Sequence, residues 1–121
     1  MDSTMKVSDA VAKYLKDKGV CVIFGYQGGS ITHLIDSIDR MGIRYIQSYN
    51  EQGAGLSADA YARVSEVGFG VAIGTNGPGA TNLVTAIANA YCDSVPVLFV
   101  TGQVHTFAMK EEASIRQESF Q

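Results

Sequence analysis

A carboxylate placed where a strand hands over to a helix is the first candidate for chemistry in this chain. It is Glu51, in Asn50-Glu51-Gln52-Gly53, with an apolar run just before it. Open α/β sheets put their ligands at such strand ends. Downstream, Gly74-Thr75-Asn76-Gly77-Pro78-Gly79-Ala80-Thr81-Asn82 follows a second apolar run and opens another helix. Its glycines let the backbone come close to a ligand. Upstream, Tyr26-Gln27-Gly28-Gly29 forms a third turn of the same kind. Taken alone, Glu51 need do no more than complement the positive end of its helix, worth about 0.3–1 kcal/mol. With all three turns at the carboxyl ends of strands, they share a rim and build a pocket. These loops hold no nucleophile–base pair, since no His neighbours a Ser or Cys there.

The downstream loop nearly matches a dinucleotide fingerprint as Gly77-x-Gly79-x-x-Asn82, with Asn in place of the last Gly. Pro78 lacks the N–H that a phosphate cradle uses. The loop also follows the third apolar run rather than the first, and the run at Val97–Thr101 ends without an acid to bind a ribose. A dinucleotide-binding, Rossmann-like domain is therefore the weaker alternative.

The positioning elements follow from periodicity. Val7, Ala10, Val11, Tyr14 and Leu15 share one face of a helix over residues 6–18, which Gly19 ends. Residues 20–24 read as a buried strand. Ser30 is a candidate cap for a helix whose face is Ile31, Leu34, Ile35, Ile38 and Met41, stopped by Gly42. Residues 43–47 form the next strand, and Asn50 caps a helix from Glu51 to about Ser65. Gly53 and Gly55 cost that helix roughly 1 kcal/mol each against Ala, so a close approach of another backbone or a ligand is expected there. Residues 69–74 form a strand, about 80–92 a helix and 97–101 a strand. Strands separated by single helices pair in parallel through right-handed crossovers. The fold class is α/β: a three-layer open parallel sheet with helices on both faces. A sheet of about six strands would need about 180 residues, so this one is expected to stop before the sheet is complete. Such a chain is expected to leave a sheet edge bare and to self-associate.

The bulk numbers exclude several function classes. Nine basic and twelve acidic residues give a net charge of −3, with no run of either sign. That speaks against a nucleic-acid surface or an anionic membrane as partner. No apolar stretch approaches the length of a membrane span, and the acid-bearing start Met-Asp-Ser-Thr-Met-Lys is not a signal peptide. A cytoplasmic location is expected. Cys21, read as strand, and Cys92, at a helix end, are expected to be buried small hydrophobes in a reducing compartment. With two His besides, there is no metal-ligand cluster.

At these residues the chain resembles the pyrimidine-binding domain of thiamine-diphosphate enzymes, most closely the acetolactate (acetohydroxyacid) synthase group. The segments that carry the resemblance begin with residues 24–29, Glu51-Gln52-Gly53, Asp59-Ala60-Tyr61-Ala62-Arg63 and Gly77 to Asn82. They continue with Asp93-Ser94-Val95-Pro96, Thr101-Gly102-Gln103-Val104 and Phe120-Gln121. The resemblance runs in order through nearly all of residues 1–121. It departs at Gln27, where the group usually has Pro, and at Asn50, where it usually has His.

The resemblance implies roles. Glu51 would hydrogen-bond the ring nitrogen of the cofactor aminopyrimidine and, by sharing a proton there, activate the cofactor. Tyr26 and Gly28 would line the aminopyrimidine on one side, with Pro78 and Asn82 on the other. Gln121 would lie near the reacting substrate, a small 2-oxo acid. The diphosphate and its Mg²⁺ would be held by a diphosphate-binding domain of the same or another subunit, in a homodimer or higher homo-oligomer. No protein metal ligands are expected on this chain, FAD is left open, and the chain by itself is expected to be inactive. A non-catalytic, stand-alone pyrimidine-domain subunit is the second alternative.

Overall fold

A computed structural model describes residues 4–109. Its elements are α1 (Val7–Asp17), β1 (Val22–Gly25), a 3-10 turn (Gly29–Ile31), α2 (Thr32–Arg40) and β2 (Arg44–Gln47). Then come α3 (Glu51–Val64), β3 (Gly70–Gly74), α4 (Pro78–Asn82), α5 (Val84–Cys92) and β4 (Val97–Thr101). The strands form one parallel sheet in the order β2-β1-β3-β4. The chain winds outward from β1 to β2, then returns to place β3 on the other side of β1. That reversal makes the carboxyl ends of β1 and β3 the switch point, where an open α/β sheet leaves a crevice for ligand.

Alternation along β3 separates the layers. Val71 and Ile73 pack with Ala12, Leu15, Ile23 and Ile38 on the α1–α2 side. Ala72 packs with Ala58 and Leu83 on the other side, flanked by Phe24 and Phe99. All five residues of β3 are buried, as expected of a central parallel strand covered on both faces. Each Ile or Leu so buried contributes about 1.5–3 kcal/mol of transfer free energy. The arrangement is the α/β open parallel sheet with helices on both faces. β4 is less completely covered among the described residues: Leu98 is 41% exposed.

Local chemistry explains where other boundaries moved. Ser30 does not cap α2, which has no side-chain cap. Its Oγ instead bonds Thr75 Oγ1 at 2.8 Å and accepts from the Asn76 backbone N–H at 3.1 Å, tying the β1 loop to the β3 loop. The helix expected near residues 80–92 begins earlier, at Pro78, whose fixed φ suits a first helical position. It breaks at the buried Leu83 into α4 and α5. Both cysteines are exposed rather than buried. Val20 turns into the core at 4% exposure, so its neighbour Cys21, just ahead of β1, points outward and lies 3.4 Å from the Tyr61 hydroxyl.

Two of the segments read as motifs turn out to hold each other. Arg63 Nε donates to Asp59 Oδ1 at 2.7 Å and its Nη2 to Asp93 Oδ2 at 2.7 Å, clamping α3 to the turn after α5. Gly55 has a packing reason: a Cβ there would stand 2.4 Å from the Ala86 Cβ of α5. Gly53 meets only its own cap, Asn50 Oδ1.

Candidate functional site

Asn50 sets the position of Glu51. Its side chain accepts from the Gly53 N–H at 2.7 Å, which fixes the first turn of α3. Glu51 then leaves the helix start into the sheet edge and is 8% exposed. Asn82 Nδ2 donates to Glu51 Oε2 at 2.9 Å. The other oxygen, Oε1, faces Gly79: a Cβ on that glycine would stand 3.0 Å from it. Gly74 packs beneath, its absent Cβ 3.4 Å from Glu51 Cγ. Among the described residues Glu51 has no cationic partner. A buried carboxylate satisfied on one oxygen by a neutral amide retains acceptor capacity toward whatever enters beside it.

An open cleft of about 650 Å³ lies there, lined by Tyr26, Glu51, Thr75, Pro78 and Asn82 among others. Four of the residues singled out from sequence, Tyr26, Glu51, Pro78 and Asn82, thus meet around one space. Gly28 does not line it. Its role is to let Thr75 in, since a Cβ at Gly28 would fall 2.4 Å from the Thr75 Cβ. Gln121 lies outside the described residues. Thr75 and Thr81, which line the cleft, sit inside the quoted loop but carried no signal of their own beyond that. A larger cleft of about 770 Å³ adjoins across the Ser30–Thr75 bond and contains none of these four.

Tyr45 on β2 carries a buried hydroxyl with no partner among the described residues. Burial, and after it the Glu51 charge, push the phenol up to about 12. The folded state therefore holds this proton through a pH range where the unfolded chain, at 10.0, releases it. Stability from this group is fully present below pH 10 and is lost as pH rises toward 12. Tyr45→Phe is expected to flatten that alkaline loss and, by removing an unsatisfied buried group, to stabilise the chain at pH 7 by about 1 kcal/mol. Urea unfolding at pH 7 and pH 11 checks both; a destabilised variant would mean that the hydroxyl has a partner.

The family profile described as "Thiamine pyrophosphate enzyme, N-terminal TPP binding domain" matches residues 5–121. The chain is 45% identical over 109 residues to a probable acetolactate synthase large subunit of Methanocaldococcus jannaschii, covering 90% of this chain and 18% of that protein. It is 48% identical over 107 residues to the acetolactate synthase large subunit of Lactococcus lactis, covering 88% and 18%. With the acetolactate synthase isozyme 2 large subunit of Escherichia coli it shares 45% over 94 residues, covering 78% and 17%. The chain thus spans about a fifth of the length of these relatives. No helix among the described residues is long and apolar enough to cross a membrane. The profile covers nearly all of the chain, and the chain belongs to the family of N-terminal TPP-binding domains of thiamine pyrophosphate enzymes.

Proposed function

We propose that residues 1–121 are the pyrimidine-binding portion of a thiamine-diphosphate-dependent 2-oxo-acid decarboxylase or carboligase of the acetolactate synthase kind. Glu51 is the carboxylate that activates the cofactor aminopyrimidine. The observation that carries this reading is the Glu51 carboxylate itself, 8% exposed, held at one oxygen by Asn82 and lining an open cleft.

The residues present suit an aminopyrimidine. The open cleft beside Glu51, walled by Tyr26, Thr75 and Pro78, would take a flat ring, while the missing Cβ of Gly79 lets Thr75 Cγ2 and Glu51 Oε1 close in, 2.8 and 3.0 Å from where it would stand. When bound, the coenzyme supplies the electron sink for breaking and making carbon–carbon bonds. Glu51 would hold or yield a proton at a ring nitrogen of the bound coenzyme. Its burial keeps water from competing for that hydrogen bond. Asn82 acts through Glu51 as a positioning residue, fixing which oxygen points at the ring.

The diphosphate and Mg²⁺ fall to a diphosphate-binding domain of the same or another subunit, so the chain alone is expected to be inactive. Leu56 on α3 and Val84, Ile87 and Tyr91 on α5 expose apolar side chains, which supports a partner covering that side. FAD, if used, would belong to a further domain. A dinucleotide reading has less support: α4 is five residues long and opens with Pro78, so it offers a poor phosphate cradle.

Gly79→Ala in the full-length enzyme tests the reading. The added methyl would stand 2.8 Å from Thr75 Cγ2 and 3.0 Å from Glu51 Oε1, pushing the carboxylate from its place, and such overpacking costs the fold ~1–3 kcal/mol. Thiamine diphosphate binding is expected to weaken about ten- to a hundredfold, measured at a temperature where the ligand-free variant, itself somewhat destabilised, is still folded. Equal affinity in the variant would remove the ring from this cleft.

A further inference from the structure

Three strand-end loops meet at one hydroxyl. Ser30 sits in the 3-10 turn Gly29–Ile31, which Ile31 anchors in the core at 2% exposure. Its Oγ accepts from the Asn76 backbone N–H at 3.1 Å and bonds Thr75 Oγ1 at 2.8 Å. Thr75 Oγ1 in turn donates to Asn76 Oδ1 at 3.3 Å. One placement of protons satisfies all three contacts: the Asn76 amide donates to Ser30, Ser30 to Thr75, and Thr75 to Asn76. Each hydroxyl has a single proton to give, and each is used. From the far side Gly102 closes on Ser30, since a Cβ there would stand 2.0 Å from Ser30 Oγ and 2.7 Å from its Cβ. The Gly102 N–H bonds the Gly74 carbonyl at 3.1 Å, which holds the β4 loop against the β3 loop. The Ser30 side chain therefore has little room to turn.

The consequence falls on Thr75. Its Cβ carries a hydroxyl and a methyl of similar size, and its χ1 has only a few discrete settings. A turn of about 120° brings the hydroxyl to the place of the methyl. In the structure the hydroxyl is turned to Ser30. The methyl is turned to Gly79: a Cβ on that glycine would stand 2.8 Å from Thr75 Cγ2, against 3.5 Å from Thr75 Cβ. The same point lies 3.0 Å from Glu51 Oε1, and Thr75 and Glu51 line one cleft. A hydroxyl in the place of that methyl would offer the carboxylate a donor. Hydrogen bonds to an ionised acceptor are roughly twice as strong as neutral ones, so the carboxylate is the more attractive partner once Ser30 is gone. Glu51 would then be engaged by Asn82 at one oxygen and by Thr75 at the other. Less acceptor capacity would remain for anything entering the cleft.

We propose that Ser30 is a positioning residue that sets the rotamer of Thr75, so that its methyl and not its hydroxyl faces Glu51. Resting on the functional reading above, this keeps the carboxylate free for the aminopyrimidine. Ser30 itself does not line the Glu51 cleft; it acts through Thr75.

The test compares Ser30→Ala with the double variant Ser30→Ala/Thr75→Val in the full-length enzyme. In a crystal structure of ligand-free Ser30→Ala, Thr75 χ1 should have turned by about 120°. Thiamine diphosphate affinity, measured by calorimetry, and kcat should each fall about three- to tenfold, the worth of one competing hydrogen bond. Valine has no hydroxyl to turn, so the double variant should recover most of what Ser30→Ala loses. A merely structural role for the hydroxyl pair predicts the opposite, with the double variant the more impaired. An unturned Thr75 in Ser30→Ala, or a double variant as impaired as Ser30→Ala, would overturn the proposal. Glu51→Gln, assayed alongside, separates the two readings. A turned Thr75 with Ser30→Ala and Glu51→Gln both fully active would sink the Glu51 assignment and support the rotamer role. A turned Thr75 with Ser30→Ala fully active and Glu51→Gln impaired would overturn the link from Ser30 to the carboxylate.

Discussion

Replacing Glu51 with Gln is expected to leave the fold standing and to cut turnover of the full-length enzyme about 10²–10⁴-fold. The two side chains have nearly the same shape. Glutamine can turn its amide oxygen toward Asn82 Nδ2 and keep the 2.9 Å bond that now holds Oε2. The position of Oε1 is then taken by an NH₂ group. That group can donate toward a ring nitrogen but cannot accept and return a proton, which is the act asked of Glu51. The loss should therefore fall on kcat and kcat/KM together, the mark of an interaction made in the transition state. Thiamine diphosphate affinity should change far less. Glu51→Asp should retain the acid while drawing it back by about one methylene, leaving activity between the two. Steady-state kinetics with a 2-oxo acid, alongside thermal unfolding, checks the set; undiminished turnover in Glu51→Gln would sink the role.

Much of this site was legible because its signals are local. Asn50 is a cap by residue type and the structure has it capping Gly53. Gly19 and Gly42 end their helices with φ of +85° and +68°, the region that glycine enters without strain. The Glu51 rim could be argued because every strand end in a parallel sheet points the same way. What escaped is non-local. Nothing in a run of residues says on which side of β1 a crossover returns, so the order β2-β1-β3-β4, and with it the switch point, had to come from the structure. The Glu51–Asn82 bond spans 31 positions. Ser30 has the residue type of a cap, but tertiary context gave its hydroxyl a better use at Thr75 and Asn76. The break at Leu83 has the same origin: its side chain is wanted in the core between α3 and β3, at 0% exposure.

Gly70→Ala is expected to be the most destabilising small substitution in the sheet, by about 3 kcal/mol or more. A Cβ built at Gly70 falls 2.0 Å from the carbonyl oxygen of Ala58 and 2.7 Å from its carbonyl carbon. Those are backbone atoms in the middle of α3, so no rotamer change relieves the overlap. Either β3 or the whole helix must move. Moving β3 disturbs a strand buried along its full length; moving α3 opens the layer formed by Ala58, Ala72 and Leu83. Against a typical total of about 5–15 kcal/mol, a loss of this size leaves little or no folded chain. Gly68→Ala is the control: its φ of +75° imposes backbone strain, but nothing lies within 4 Å of the added methyl. Strain alone costs about 1–2 kcal/mol, so urea unfolding should rank Gly70→Ala clearly below Gly68→Ala. The reverse order would mean that α3 does not rest on β3 as closely as described. The contact also bears on chemistry, because Glu51 and Ala58 lie two helical turns apart on the same face of α3. Any shift that relieves Ala58 carries the carboxylate with it, and a displacement of about 1 Å at a reacting group can cost about 10²-fold in rate. Whatever fraction of Gly70→Ala still folds should therefore be a poor enzyme as well, through a glycine that touches neither cofactor nor cleft.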